Sequence, residues 1–195
     1  MNARRIGAVT AAAAIALGLA ACGSSDSGSG SGSSGSASAD APTGKKIKIG
    51  TKFDQPGLGL KKGTEMSAFD VDVATYVAKE LGSNAGDIEW VQAVSAQRET
   101  LLSSGQVDMI VATYSITDKR KEQISFAGPY FVTGQGLLVA AGNDKITGKD
   151  SLTAEDIVCS ATGSTSIQRI KDETPAQTKE YDTYSTCVED LKNGQ

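Results

Sequence analysis

Lys46-Ile47-Lys48-Ile49-Gly50-Thr51, followed by Phe69-Asp70-Val71-Asp72-Val73-Ala74-Thr75-Tyr76-Val77-Ala78-Lys79-Glu80-Leu81, decides the fold class of this chain. In the first stretch Ile47, Ile49 and Thr51 alternate with Lys46, Lys48 and Gly50, the period of a strand. In the second, Phe69, Val73, Tyr76, Val77 and Leu81 recur at helical spacing; Asp70 and Asp72 stand in the first turn, where they complement the helix dipole, and Gly82 is a stop. Between them, Gln55 to Gly63 reads as a Pro/Gly loop at a strand end, where α/β sheets place ligands.

Working outward, Ile88, Trp90, Gln92 and Val94 alternate as a second strand, Gln97 to Ser104 reads as a short helix closed by Gly105, and Val107 to Ala112 as a third strand. Ser115 to Gln123 is polar and turn-like. Ile124 to Phe126 and Tyr130 to Val132 are short extended pieces around Gly128-Pro129, and Gly136 to Ala141 is an apolar strand. Beyond Gly142 a second unit begins: a short helix over Ser151 to Asp156, a strand over Ile157 to Ser160, a helix over Thr162 to Lys171, a strand over Thr178 to Tyr181 and a helix over Tyr184 to Leu191. Alternation of strands and helices predicts mostly parallel sheets with covering helices, an α/β fold.

The 195 residues carry 19 basic and 23 acidic side chains, net −4, with a pI near 4.9. That sign is wrong for a protein that holds phosphate backbones, so nucleic acid is excluded as a partner. The absence of histidine removes imidazole acid/base chemistry and imidazole zinc sites, and three cysteines do not make a four-thiolate site. No metal, cofactor or catalytic residue is expected.

Arg4 and Arg5 precede an apolar stretch, Ile6 to Ala20, the pattern of an export signal. As a helix it would rise about 22 Å, short of the roughly 30 Å hydrocarbon core, so a permanent span is not expected. From Gly23 to Ala41 the chain is nearly all Ser and Gly, with Asp26 and Asp40 as its charges, which reads as a flexible tether reaching about 25 Å. Leu19-Ala20-Ala21-Cys22 resembles the bacterial lipobox, which implies cleavage before Cys22 and lipidation of that cysteine by acyl chains such as palmitate. Cys159 and Cys187 remain as an even pair in an exported chain, where oxidising conditions favour a disulfide closing a loop of about 28 residues; two buried free thiols are the alternative.

Four stretches carry a wider resemblance. They are Ser67 to Ala74 with Phe69-Asp70-Val71-Asp72; Leu101 to Val111 with Ser103, Gly105, Val107 and Asp108; Ser115-Ile116-Thr117-Asp118-Lys119-Arg120 with Ile124-Ser125-Phe126 and Pro129-Tyr130; and Ala161-Thr162-Gly163-Ser164-Thr165. In this order, behind a lipobox, the chain resembles the family-3 solute-binding proteins of bacterial polar amino-acid ABC importers, glutamate-type. The resemblance covers Lys46 to the end of the chain. It implies a two-lobed periplasmic-binding-protein (type II) α/β fold: residues 1–22 signal peptide, 23–44 tether, 45–140 lobe one and 141–195 lobe two, with a hinge near Val139 to Asn143. The family places a further aspartate, which grips the ligand's α-ammonium, on a strand beyond Gly194, so lobe two is expected to be incomplete here.

The resemblance also implies a ligand set. Arg120 looks like the arginine that holds the ligand's α-carboxylate through its bidentate fork, although by residue type alone it belongs to the solvated run Lys119-Arg120-Lys121. Thr113 and Ser115 look like its flanking contacts; as plain sequence they are loop hydroxyls that cap a turn. Lys52, after the first strand, and Arg98, opening the second helix, match cationic positions that face an acidic side chain, against the plainer reading of surface charges. Thr162, Gly163, Ser164 and Thr165 would bring hydroxyls and free backbone N–H groups to a helix N-terminus, or simply cap it. Three cations around one ligand make sense for an acidic amino acid.

The expected protein is therefore a monomeric, extracytoplasmic lipoprotein that captures L-glutamate, or aspartate, by hinge closure and delivers it to an ABC permease. Glutamine or another polar amino acid is the alternative ligand. An enzyme on the same fold, dehydratase-like, is the alternative activity, with Asp54 and Glu65 as the carboxylates bordering the site. A receptor's sensor module is a third reading, disfavoured by the lipobox.

Overall fold

A computed structural model describes residues 44–195; the expected leader with Cys22, and the expected tether as far as residue 43, lie outside the described residues. β1 (Ile47–Thr51) is the centre of a parallel sheet, flanked by β5 (Ile88–Gln92) and β6 (Met109–Ile110). Ile49 stands opposite Trp90 on one side and Met109 on the other. Between β1 and β5 run a three-stranded antiparallel meander, β2 (Asp54–Gln55), β3 (Gly59–Lys62) and β4 (Glu65–Ser67), and then α1 (Phe69–Glu80). α2 (Arg98–Ser103) precedes β6, and α3 (Asp118–Lys121) follows it.

The two faces of the first sheet are covered separately. On one, Ile47, Ile49 and Val111 pack with Ala74 and Ala78 of α1, supported by Ile88, Trp90 and Met109. On the other, Ala93, Leu101 and Val107 pack with Val91, Leu102 and Ile110, under α2. Each fully buried Ile or Leu contributes about 2 to 3 kcal/mol relative to exposure. Gly50 lets the second face close: a Cβ there would stand 2.8 Å from Cγ1 of Ile110.

A second, two-stranded parallel sheet is formed by β7 (Ile157–Ala161) and β8 (Gln177–Tyr181), joined by α4 (Thr165–Glu173) and followed by α5 (Tyr184–Lys192). Parallel neighbours need a crossover, and α4 supplies it, burying Ile167 and Ile170. Cys159 on β7 and Cys187 on α5 are disulfide-bonded, their Cα atoms 5.5 Å apart, so the free-thiol alternative falls away.

Several expectations are corrected. The loop expected over Gln55 to Gly63 is the meander, paired through Asp54 with Leu60 and Leu60 with Ser67. The buried face of α1 is Asp70, Val71, Ala74 and Ala78, and Tyr76 and Leu81 are exposed, because small residues let the helix approach the sheet closely. Ser115 to Gln123 contains α3, capped by Thr117. Ile124 to Phe126, Tyr130 to Val132 and Gly136 to Ala141 are not strands: no neighbouring strand pairs with them among the described residues, and Val132 and Leu138 are exposed. The helix expected over Ser151 to Asp156 shrinks to a single 3-10 turn, Lys149–Ser151. Asp156 instead accepts bonds from the N–H and hydroxyl of Thr153, a local competitor of helix.

Candidate ligand-binding site

The carboxyl ends of β1, β5 and β6 converge, and the expected site residues lie there or face it. Lys52 follows β1 and is 2% exposed; its Nζ donates to Oγ of Ser95 at 2.9 Å and stands 5.7 Å from the centre of the Tyr184 ring. Arg98 opens α2, is equally buried, and donates to the carbonyls of Ser95 (3.3 Å) and Ala112 (3.4 Å). Lys52 and Arg98 therefore meet on one residue, Ser95. Arg120 is the third buried cation. Its Nε donates to Oε1 of Glu99 (2.9 Å), Nη1 to the Ser115 carbonyl (2.9 Å) and Nη2 to the Gly163 carbonyl (3.0 Å). The Tyr114 ring serves both arginines, with Arg98 at 4.0 Å and Arg120 at 4.9 Å from its centre.

Charge in this cluster is poorly balanced. Among the described residues one carboxylate, Glu99, comes within ion-pairing distance of the trio. Burial, and after it the charge of Arg98, pulls Lys52 from 10.5 down to about 8, against the weaker pull of Asp54. Burial and the charge of Arg120 likewise pull Arg98 down to about 10. Both remain cationic at neutral pH. Buried charges of one sign hold together when an anion completes them, so the arrangement suits a carboxylate ligand.

Thr113 has φ +46°, the left-handed region, and its N–H donates to Oδ2 of Asp70 at 2.9 Å while its hydroxyl donates to Oε1 of Gln55 at 3.0 Å. Asp70 also accepts from the Tyr130 hydroxyl at 2.8 Å. Burial pushes the Asp70 carboxyl up, and the two hydrogen bonds oppose that. Asp70 stands in the first turn of α1, as expected, and being 1% exposed it also anchors the Thr113 turn.

The second sheet meets this cluster directly. Ser115 and Thr165 share a hydrogen bond between hydroxyls at 3.0 Å, and the Ser185 N–H donates to Asp54 at 3.0 Å. Gly163, φ +74°, packs so closely on Ala96 that a Cβ would stand 2.9 Å from its Cα. The free N–H groups expected over Thr162 to Thr165 are partly committed: Thr162 donates to Tyr181 and Ser164 to Ala161, while the Ser164 hydroxyl caps α4 by accepting from Ile167. Sequence reasoning missed Ser95, Glu99, Tyr114, Asp70 and Tyr184. Tyr114 and Glu99 had a signal, each being the immediate neighbour of a named site residue.

A family model for bacterial extracellular solute-binding proteins, family 3, matches residues 47–191. The chain belongs to this family. A glutamate-binding protein, GluB, of Corynebacterium efficiens is 50% identical over 76% of this chain and 52% of its own length. The glutamine-binding protein GlnH of Bacillus subtilis is 36% identical over 77% of this chain and 58% of its own. Among solved structures, an ancestral arginine-binding protein bound to arginine superposes with a TM-score of 0.69 at 31% identity, over 76% of this chain and 66% of that one. The fold is thus the two-lobed periplasmic-binding type. This family-3 chain spans about half the length of the curated relatives it matches.

Proposed function

We propose that this protein is the solute-binding component of an amino-acid ABC importer, that it captures L-glutamate, or L-aspartate, outside the membrane, and that it hands the ligand to the permease. The observation that carries the reading is the buried trio Lys52, Arg98 and Arg120, of which, among the described residues, Arg120 alone is ion-paired, to Glu99. The 50% identity to a protein named for glutamate binding supports the same ligand.

In this reading Arg120 holds the α-carboxylate, flanked by Thr113 and Ser115, and Lys52 with Arg98 holds the side-chain carboxylate. Thr162, Gly163, Ser164 and Thr165 close on the ligand from lobe two (residues 141–195) as it turns on lobe one (45–140) about Val139 to Asn143. Binding needs no covalent step, so no enzyme chemistry is assigned. The protein acts as a monomer, tethered through residues 23–44 to a lipidated Cys22. Glutamine is the second reading, supported by the relative named for it at 36% identity.

Thermal unfolding of the full chain with and without L-glutamate tests the reading. At about 100 times the dissociation constant the ligand adds about 2.7 kcal/mol, which raises the midpoint by about 5 to 10 °C. A cooperative transition that L-glutamate leaves unmoved contradicts it.

A further inference from the structure

Glu99 was not among the expected ligand contacts, yet it is the carboxylate bonded to the arginine at the centre of the site. It follows Arg98 on α2, a different element from Arg120, which sits on α3. A guanidinium has five N–H donors in a rigid plane. Three are used here, by Glu99, Ser115 and Gly163, which leaves one N–H on each terminal nitrogen. Tyr114 supports the plane of the same group. The Nε bond fixes the rotation of the fork about its stem, and the terminal pair is then presented as a unit.

We propose that Glu99 is a positioning residue for carboxylate recognition: by accepting the Nε–H of Arg120 it orients the two remaining terminal N–H groups to grip the ligand's α-carboxylate as a pair. This rests on the assignment of Arg120 to the α-carboxylate. Glu99 is suited to the task because its own carboxylate stays ionised: burial works against it, but its backbone N–H and both arginines hold it below the usual range. As a mere counter-ion, Glu99 would weaken anion binding, and its removal would strengthen it. As a positioner it does the reverse, and what matters is the acceptor oxygen more than the charge.

Calorimetric titration of the full chain and of its Glu99→Ala and Glu99→Gln variants, each with L-glutamate and L-glutamine, separates the two. Glu99→Ala is expected to weaken both ligands alike, about 10- to 100-fold, since both carry the α-carboxylate. Glu99→Gln, which keeps an acceptor oxygen, is expected to stay within about threefold of the parent. Binding by Glu99→Ala as tight as the parent's, or an equal loss in both variants, overturns the proposal. If the parent takes L-glutamine and not L-glutamate, the glutamate reading fails while the same comparison, made with L-glutamine, still decides the role of Glu99. If the parent takes neither, both fall. Nitrogen-15 NMR of the arginine Nε–H groups adds a readout without ligand: the protected Nε–H of Arg120, assigned apart from the one that buried Arg98 donates to Ser95, is kept in Glu99→Gln and lost in Glu99→Ala.

Discussion

Lys52 pairs its buried ammonium with a serine hydroxyl and has another cation beside it, so folding this residue is costly and the cost is recovered only when an anion arrives. Replacing it with methionine, Lys52→Met, is expected to leave the free chain as stable or more so. The same change should weaken L-glutamate about 100-fold and L-glutamine less than about tenfold, as separate titrations would show. The pH dependence follows from the lowered value near 8. Below pH 8 the lysine is protonated both folded and unfolded, and the penalty is complete. Between pH 8 and the unfolded value of 10.5 the unfolded chain binds the proton that the folded chain releases, so stability rises with pH. Urea unfolding at pH 7 and pH 10 should therefore show Lys52→Met losing its advantage over the parent at the higher pH. In step with this, the preference for L-glutamate over L-glutamine falls as pH passes 8. L-Glutamine carries the same titrating ammonium, so the ratio isolates the protein's lysine.

Elements that pack against a partner in the described chain were legible, and elements that owe their form to close approach were not. Alternating Ile47 and Ile49 gave β1, and the parallel pair with its crossover, β7–α4–β8, followed from spacing within a few residues. The phase of α1 was misread because alanines, which carry little hydropathic signal, face the sheet. Lys52, Arg98 and Arg120 were named through motif position, and the structure brings them together; Asp70 and Ser95 were not, since a short polar residue gives no hint of which distant group it will serve. Gly163 shows the same limit. Its sequence suggested a helix N-terminus open to an anion, and gave no sign that the glycine also admits Ala96 at close range. Gly163→Ala adds a methyl 2.9 Å from the Ala96 backbone at a left-handed φ. It is expected to weaken ligand binding about tenfold or more by holding the lobes apart, while the thermal unfolding of the ligand-free chain shifts by only a few degrees, about 1 kcal/mol.

At the scale of the molecule, the two proposed lobes touch through residues assigned to the ligand, Arg120 to Gly163 and Ser115 to Thr165, and beside them through Asp54 and Ser185. Ligand affinity and lobe closure are then one equilibrium, and changes at these contacts should alter both. The disulfide acts elsewhere, fastening α5 to the second sheet across 28 residues of sequence. Cys159→Ser with Cys187→Ser is expected to lower unfolding free energy by about 3 kcal/mol in urea titrations, leaving the selectivity among amino acids unchanged. The most direct test of the central claim is a calorimetric titration of the full chain at pH 7 with L-glutamate and, separately, with L-glutamine. The three buried cations predict saturable binding of L-glutamate at least about tenfold tighter than that of L-glutamine. Equal affinities, or a preference for L-glutamine, would contradict the assignment of Lys52 and Arg98 to a carboxylate.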